Sequence, residues 1–198
     1  MKRLFDIIAS GCGLLALSPL FLIVAIWIKL DSKGPVFFRQ VRVGRYDKDF
    51  RIFKFRSMRV GSDKGSQITV GGHDSRITRS GYFIRKTKID ELPQLINVLK
   101  GDMALIGPRP LRVHYLPLYS PEQHRRHEVR PGISGWAQCH GRNNISWTEK
   151  FKLDVWYVDH LTLMTDIKVV LITIKKVLFR EDVNNEAATT MYPFDGTN

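Results

Sequence analysis

The sequence predicts an α+β protein, mainly helical, with an apolar N-terminal membrane segment, a small β-hairpin and amphipathic helices of the kind that lie at a membrane interface. Three observations predict it. An uncharged run fills most of the N-terminal thirty residues, aromatic and β-branched residues interleaved with basic ones follow it, and beyond them apolar residues recur at helical spacing between Pro, Gly and Ser punctuation. At 198 residues the chain suffices for one sizeable domain besides that segment, since domains run to about 100 to 200 residues.

The run IIASGCGLLALSPLFLIVAIWI, residues 7–28, has 22 residues without a formal charge. As a straight helix it is about 33 Å long, enough to cover a bilayer core. The small-residue pattern of a signal-peptide cleavage site does not follow it, so the segment is expected to stay in the mature protein. Ser18-Pro19 stands in its middle. Pro19 lacks the donor for the Leu15 carbonyl and bends the helix, while the Ser18 hydroxyl is available to a freed carbonyl. Lys2 and Arg3 lie on one flank and Lys29, Lys33, Arg39, Arg42 and Arg45 on the other, so both ends carry cytoplasmic-type charge. A hairpin entering and leaving by one face and a kinked single span both fit these residues. The membrane segment is delimited as residues 1–30 and a cytosolic domain as 31–198.

PVFFRQVRV and DFRIFKFRSM flank the turn-rich GRYDKD, which predicts a β-hairpin, and the slip in alternation at Ile52-Phe53 predicts a bulge. GSDKGSQITVGGHDSR (61–76) reads as a surface loop, mobile before substrate arrives. In TKIDELPQLINVLKGD, Leu92, Leu95, Ile96 and Leu99 form a helical stripe, Pro93 fits a first turn and Gly101 a C-cap, which puts Asp90 and Glu91 at the helix N-terminus. SPEQHRRHE starts another helix with Ser120 as N-cap and Pro121 at its first position, and RPGISGW ends it. In DIKVVLITIKKVLFR, Ile167, Val170, Leu171, Ile174 and Leu178 share a face, with Lys168, Lys175, Lys176 and Arg180 elsewhere. Such a helix can lie in a membrane interface, although facing a core is the commoner use.

Lys and Arg number 31 against 19 Asp and Glu, a net charge of +12. That surplus implies an anionic partner: nucleic acid, lipid headgroups or phosphorylated substrates. Cys12 and Cys139 are the two cysteines, far apart and without the CxxC spacing of zinc or redox sites, which fits a reducing, cytosol-facing environment.

Asp90 and Glu91 at a helix N-terminus meet unsatisfied amides and the helix dipole, a place that holds a carboxylate ionised. Taken alone, the pair reads more readily as a cap, Asp90, and a first-turn decoration, Glu91. GPRP (107–110) fixes Arg109 between two prolines, so its guanidinium is presented as a bidentate phosphate ligand should be. GRNN (141–144) offers Arg142, and KFRSM (54–58) offers Lys54 and Arg56 as phosphate ligands, although any one such residue is more often a solvated surface charge. His124 and His127 have the spacing of a metal pair, but Arg125, Arg126 and Arg130 around them would repel a cation.

Taken together, LSPLFLIVAIWIKLDSKGPVFFRQVRVG, IFKFRSM, DSRITRSGYFIRKTKIDELPQLINVLKGDMALIGPRP and RPGISGWAQCHGRN strongly resemble the bacterial sugar transferase family, specifically its small monotopic, PglC-like phosphoglycosyl transferases, from about residue 1 to 180. The resemblance implies transfer of a sugar 1-phosphate from a UDP-sugar to undecaprenyl phosphate, with release of UMP, at the cytoplasmic face of the bacterial inner membrane. It implies a re-entrant helix-break-helix at residues 1–30, with Ser18-Pro19 as the breaking dipeptide. Asp90 matches the family's nucleophile, which takes the phosphosugar covalently in a ping-pong scheme, and Glu91 the residue associated with Mg²⁺. Mg²⁺ commonly takes one or two carboxylates plus substrate phosphates, so Asp90 and Glu91 suffice without histidine. Arg85, five residues before Asp90, matches a family arginine suited to a phosphate or lipid headgroup. Lys88 and Cys139-His140 depart from the usual family residues and bear on sugar choice.

Nucleic acid as partner fits the basic, aromatic FRIFKFRSMR, but the uncharged run of 22 residues argues against it. A nucleic-acid binder would also have no need of Asp90-Glu91, whereas a membrane-bound scaffold that recruits other glycan enzymes without turnover is compatible with the same residues. Membrane phospholipids are expected partners, and a homodimer is compatible with the sequence.

Overall fold

The uncharged run forms a single helix, α1 (Lys2–Asp31), continuous through Pro19. Ser18 Oγ donates to the Leu15 carbonyl at 2.8 Å, the carbonyl that proline leaves without an N–H. The expected break is therefore no interruption of the helix, because the hydroxyl replaces the missing donor. The structure is a computed structural model and describes residues 2–62, 74–141, 145–179 and 193–197. Most of the 61–76 loop, Arg142 and residues 180–192 lie outside those ranges.

Both halves of α1 are tied to the rest of the chain. Val24 and Ile28 are buried with Phe55 and Ile84, and Phe21 packs edge-on to Phe55. At the other end Lys2 Nζ donates to Tyr157 Oη at 3.0 Å and pairs with Asp166. Arg3 donates to the Val98 and Leu99 carbonyls at 2.5 and 2.9 Å. The opposite side of α1 is bare and apolar, with Leu4, Ile8, Leu15, Leu22, Ile23 and Leu30 exposed. Among the described residues α1 is the one helix long and apolar enough to cross a membrane.

β1 (Phe37–Val43) and β2 (Asp49–Phe55) pair antiparallel around a turn at Arg45–Asp47, as predicted. Their register runs unbroken from Phe37↔Phe55 to Val43↔Asp49, so the expected bulge is absent. Phe53 breaks the alternation for another reason: it faces outward beneath the Arg39 guanidinium, 4.5 Å from its ring, and packs edge-on to Phe37.

α2 (Arg79–Lys86) is capped by Thr78, whose hydroxyl accepts from Gly81 N at 3.0 Å. A short 3-10 turn over Ile89–Glu91 then leads into α3 (Gln94–Lys100), which ends on Gly101 at φ +92°, as predicted. The predicted stripe of α3 is only half-buried and lies along α1, where Leu95 and Leu99 approach Gly13 and Gly11. Its fully buried face is Gln94, Asn97 and Val98.

β3 (Ala104–Ile106) and β4 (Gly132–Ser134) form a short parallel pair that the sequence reading did not anticipate. Between them α4 (Pro121–His124) starts on Ser120 with a full capping box. α5 (Trp136–His140), α6 (Trp147–Asp159) and α7 (Leu163–Leu178) complete the order. On α7 the commoner expectation reverses. Val169 and Thr165 are buried, and Thr173 bonds Ser134 at 2.8 Å, so the small and polar stripe packs inward. Ile167, Leu171 and Ile174 stand exposed on the outside.

Candidate active site

Lys88 begins the site. It sits in the left-handed region at φ +60°, where a non-glycine residue costs about 1 kcal/mol, and it turns the chain out of α2. Asp90 and Glu91 follow in the 3-10 turn just ahead of α3, rather than in the first turn of the α-helix itself. Asn97 holds α3 to the hairpin: its Oδ1 accepts from Phe53 N at 2.8 Å, and its Nδ2 donates to the Arg51 carbonyl at 2.9 Å. That clamp fixes the distance between the acidic turn and Lys54 on β2.

Glu91 is gripped from two sides. Lys54 Nζ and Arg109 Nη2 both reach its Oε1 at 2.6 Å. Burial pushes the Glu91 carboxyl up, but the two cations outweigh it and hold it well below the usual carboxylate range. The neighbouring Glu91 charge in turn raises the Arg109 guanidinium. The loop carrying Arg109 leaves β3 through Gly107, where a Cβ would stand 2.3 Å from the Arg130 carbonyl, so only glycine admits this approach. From beneath, Arg126 donates to the Arg109 carbonyl at 2.8 Å and forms a buried ion pair with Asp154 at 2.7 Å.

Asp90 is different. Its Oδ1 is buried and has no hydrogen-bond partner among the described residues. Burial raises its pKa, with Lys54 pulling it back and Glu91 pushing it up further. Asp90 lines a cavity of about 430 Å³ together with Arg39, Arg42, Lys54, Arg85 and Arg112. The two carboxylates cannot balance these cations and Arg109, so the cleft suits a ligand with several negative charges.

The structure brings together Asp90, Glu91, Lys54, Arg85 and Arg109. Arg56 does other work: its guanidinium donates to the Ser32, Lys33 and Pro35 carbonyls at 2.9, 2.8 and 2.6 Å, buckling the end of α1 to the hairpin. That occupation argues against Arg56 as a phosphate ligand, although it touches the cavity. The sequence reading passed over Arg42 and Arg112 as site residues. Arg42 is half-buried, its Nε atom is buried with no partner among the described residues, and burial with the nearby Arg109 and Arg112 lowers its pKa to about 10. The signal was Arg42 on a strand among apolar neighbours, a poor place for a charge without an anion to meet.

His124 Nε2 lies 3.0 Å from Asp47 Oδ2, and burial pushes the neighbouring His127 down to about 3. Among the described residues no cluster of three His, Cys, Asp or Glu side chains is placed to hold a metal ion.

A carboxylate with an oxygen unpartnered among the described residues, beside a second one clamped by cations and facing a surplus of positive charge, has the charge balance that phosphorylated groups would complement. A family model described as bacterial sugar transferase matches residues 1–180. The chain belongs to the bacterial sugar transferase family. It is 47% identical over 197 residues to the uncharacterized sugar transferase EpsL of Bacillus subtilis (strain 168), covering 100% of this chain and 96% of that protein. It is 46% identical to the UDP-N-acetylgalactosamine-undecaprenyl-phosphate N-acetylgalactosaminephosphotransferase of Aeromonas hydrophila, over 90% of this chain and 44% of that one. The UDP-glucose:undecaprenyl-phosphate glucose-1-phosphate transferase of Escherichia coli (strain K12) is 40% identical over 89% of this chain and 40% of its own length. The chain thus spans less than half of these last two relatives.

Proposed function

We propose that this chain, an enzyme of the phosphoglycosyl transferase class, moves a sugar 1-phosphate of the N-acetylhexosamine type from a UDP-sugar to undecaprenyl phosphate. The observation that carries the reading is Asp90 Oδ1, buried without a partner on a cation-lined cleft, next to a Glu91 that Lys54 and Arg109 already neutralise. An Asp90 carboxylate oxygen attacks the β-phosphorus, forming an O–P bond as the bond from that phosphorus to the bridging oxygen breaks, and UMP leaves with that oxygen. An oxygen of undecaprenyl phosphate then attacks the same phosphorus. The aspartyl bond breaks, the lipid-linked diphosphosugar departs and the carboxylate is restored. Covalent catalysis divides one difficult displacement into two easier ones, and phosphoryl transfer depends chiefly on positioning and charge.

Arg109, pre-set between prolines and held through its own carbonyl by Arg126, would orient the donor phosphates with Arg42. Arg85 faces the same cavity and would meet the incoming lipid phosphate. The residues present fit Mg²⁺: among the described residues Asp90 Oδ1 has no partner and Glu91 Oε2 has one long contact, to Arg109 at 3.4 Å. Asp90 and Glu91 would hold it with substrate phosphates completing the shell. When bound, it supplies charge neutralisation at the phosphates.

The enzyme is proposed to sit on the cytoplasmic face of the bacterial inner membrane, with α1 entering and leaving the bilayer by that face. Supporting this, Lys2 and Arg3 at one end of α1 and Val24 and Ile28 toward the other all bind the same domain, while the apolar outer side of α1 and of α7 is bare. Phospholipids would cover those surfaces.

The test is the intact mass of lipid- or detergent-solubilised protein mixed with Mg²⁺ and individual UDP-N-acetylhexosamines, without lipid acceptor. The expected result is a phosphosugar adduct with one donor, absent in Asp90→Asn. Acceptor-dependent turnover with no adduct under rapid quench, retained in Asp90→Asn, would overturn the covalent scheme.

A further inference from the structure

Past residue 180, where the match to the family model ends, the segment 193–197 comes back to the domain and inserts a side chain into it. Phe194 is 3% exposed and completes a cluster with Leu111 and Phe151. Its ring stacks on Tyr119 at 5.8 Å and meets Phe151 edge-on at 4.9 Å. Trp147, the first residue of α6, lies 5.8 Å from the same ring. The segment is itself ordered by Asp195, which accepts from Thr197 N at 2.8 Å, and by Gly196 at φ +98°.

The cluster leads to the active site in two ways. Leu111 is two residues beyond Arg109 on the same chain. The Arg126 guanidinium lies over the Phe151 and Tyr119 rings at 5.3 and 5.8 Å, and from there it donates to the Arg109 carbonyl at 2.8 Å. Phe194 therefore backs the two rings that hold Arg126, and Arg126 holds Arg109 where its Nη2 reaches Glu91. An aromatic core with one ring missing relaxes into the gap, and a ring under a guanidinium that shifts lets the guanidinium shift with it.

We propose that Phe194 is a positioning residue: it completes the aromatic core beneath the 107–110 loop and so sets Arg109 for the donor phosphates. This rests on the reading of Arg109 given above. A chain cut before the segment would keep every catalytic side chain and lose the backing of one of them.

The test uses full-length, membrane-extracted protein carrying Phe194→Ala or Phe194→Tyr, with two readouts. Amide hydrogen exchange over residues 107–112 is expected to quicken in Phe194→Ala and to return to the wild-type rate in Phe194→Tyr. Steady-state kinetics are expected to show the donor KM raised at least about fivefold in Phe194→Ala with the acceptor KM little changed. Unchanged exchange over 107–112, or donor and acceptor KM moving together, would reduce Phe194 to a stability residue and overturn the proposal. Should Phe194→Ala not accumulate folded, Phe194→Leu keeps the apolar volume without the ring and carries the same comparison. Exchange is read without turnover, so a wild-type chain inactive toward every UDP-sugar would count against the reaction and not against this contact path.

Discussion

Arg109 Nη2 stands 2.6 Å from Glu91 Oε1, and Lys54 Nζ meets that same oxygen at 2.6 Å. One carboxylate oxygen thus joins the hairpin, the acidic turn and the 107–110 loop. Replacing it by an amide keeps the shape but removes the charge, leaving the half-buried Lys54 ammonium and the more exposed Arg109 guanidinium facing each other without their shared anion. Glu91→Gln is expected to lower kcat/KM for the donor about 10²- to 10³-fold, in the range of a lost electrostatic contact at a reacting centre. Steady-state rates at saturating acceptor would show it, and a loss of threefold or less would mean that Glu91 merely decorates the turn.

Asp90 and Lys54 set a pH dependence. Burial raises the Asp90 pKa and Lys54 pulls it down. As the proposed nucleophile, Asp90 must be ionised, so activity is expected above that pKa and lost as pH falls through it. The acid limb of kcat/KM for the donor is expected above the ordinary aspartate value of about 3.9. Lys54→Met removes the charge that pulls Asp90 back, so the limb should move to higher pH. A limb that stays fixed, or moves down, would show that another group controls it.

The acidic turn, the arginine loop and the hairpin were legible because each is written locally: Asp-Glu before a helical stripe, arginine between prolines, alternating residues around a turn. Ser18 was legible in the same way, since the carbonyl that Pro19 frees lies three residues before it, within reach of a helical hydroxyl. What the sequence hid depends on which elements meet. Phe53 was read as a bulge because an outward aromatic looks like a slip until Arg39 is seen above it. Arg56 was read as a ligand because nothing in KFRSM reveals that the end of α1 offers it three carbonyls. Arg42 went unnoticed as a site residue for the converse reason, a surface-like charge that the fold half-buries beside the cleft. The apolar stripe of α7 looks core-facing until Val169, Thr165 and Thr173 are found to have taken the inner side.

His127 predicts an acid-side loss of stability. Its side chain is buried with Nε2 unpartnered, and burial, then the Arg126 charge, lowers its pKa to about 3. The unfolded chain protonates near 6.5 while the folded one stays neutral. Stability from this group is full above about 6.5 and falls as pH drops toward 3, by at most about 1.4 kcal/mol per pH unit. His127→Gln should flatten the fall in urea-midpoint stability between pH 6.5 and 4, at some loss near neutrality. An unaltered slope would assign the acid loss to the carboxylates instead.

Lys2, Arg3, Ser18 and Pro19 predict where the N-terminus lies. Lys2 binds Tyr157 and Asp166, and Arg3 caps α3, so the start of α1 is on the side of the bilayer that carries the catalytic domain. A cysteine placed ahead of residue 2, in a chain with Cys12→Ser and with Cys139 buried, should label with a membrane-impermeant maleimide only from the face that exposes the domain. Labelling from the opposite face would make α1 a single span and break the contacts of Lys2. Ser18→Ala adds a second reading of the same helix. It leaves the Leu15 carbonyl with neither N–H nor hydroxyl in a water-poor setting, where such a group costs about 1 kcal/mol or more. The thermal midpoint in lipid is therefore expected to drop, while Ser18→Thr, which keeps a hydroxyl at that position, should hold it near the wild-type value.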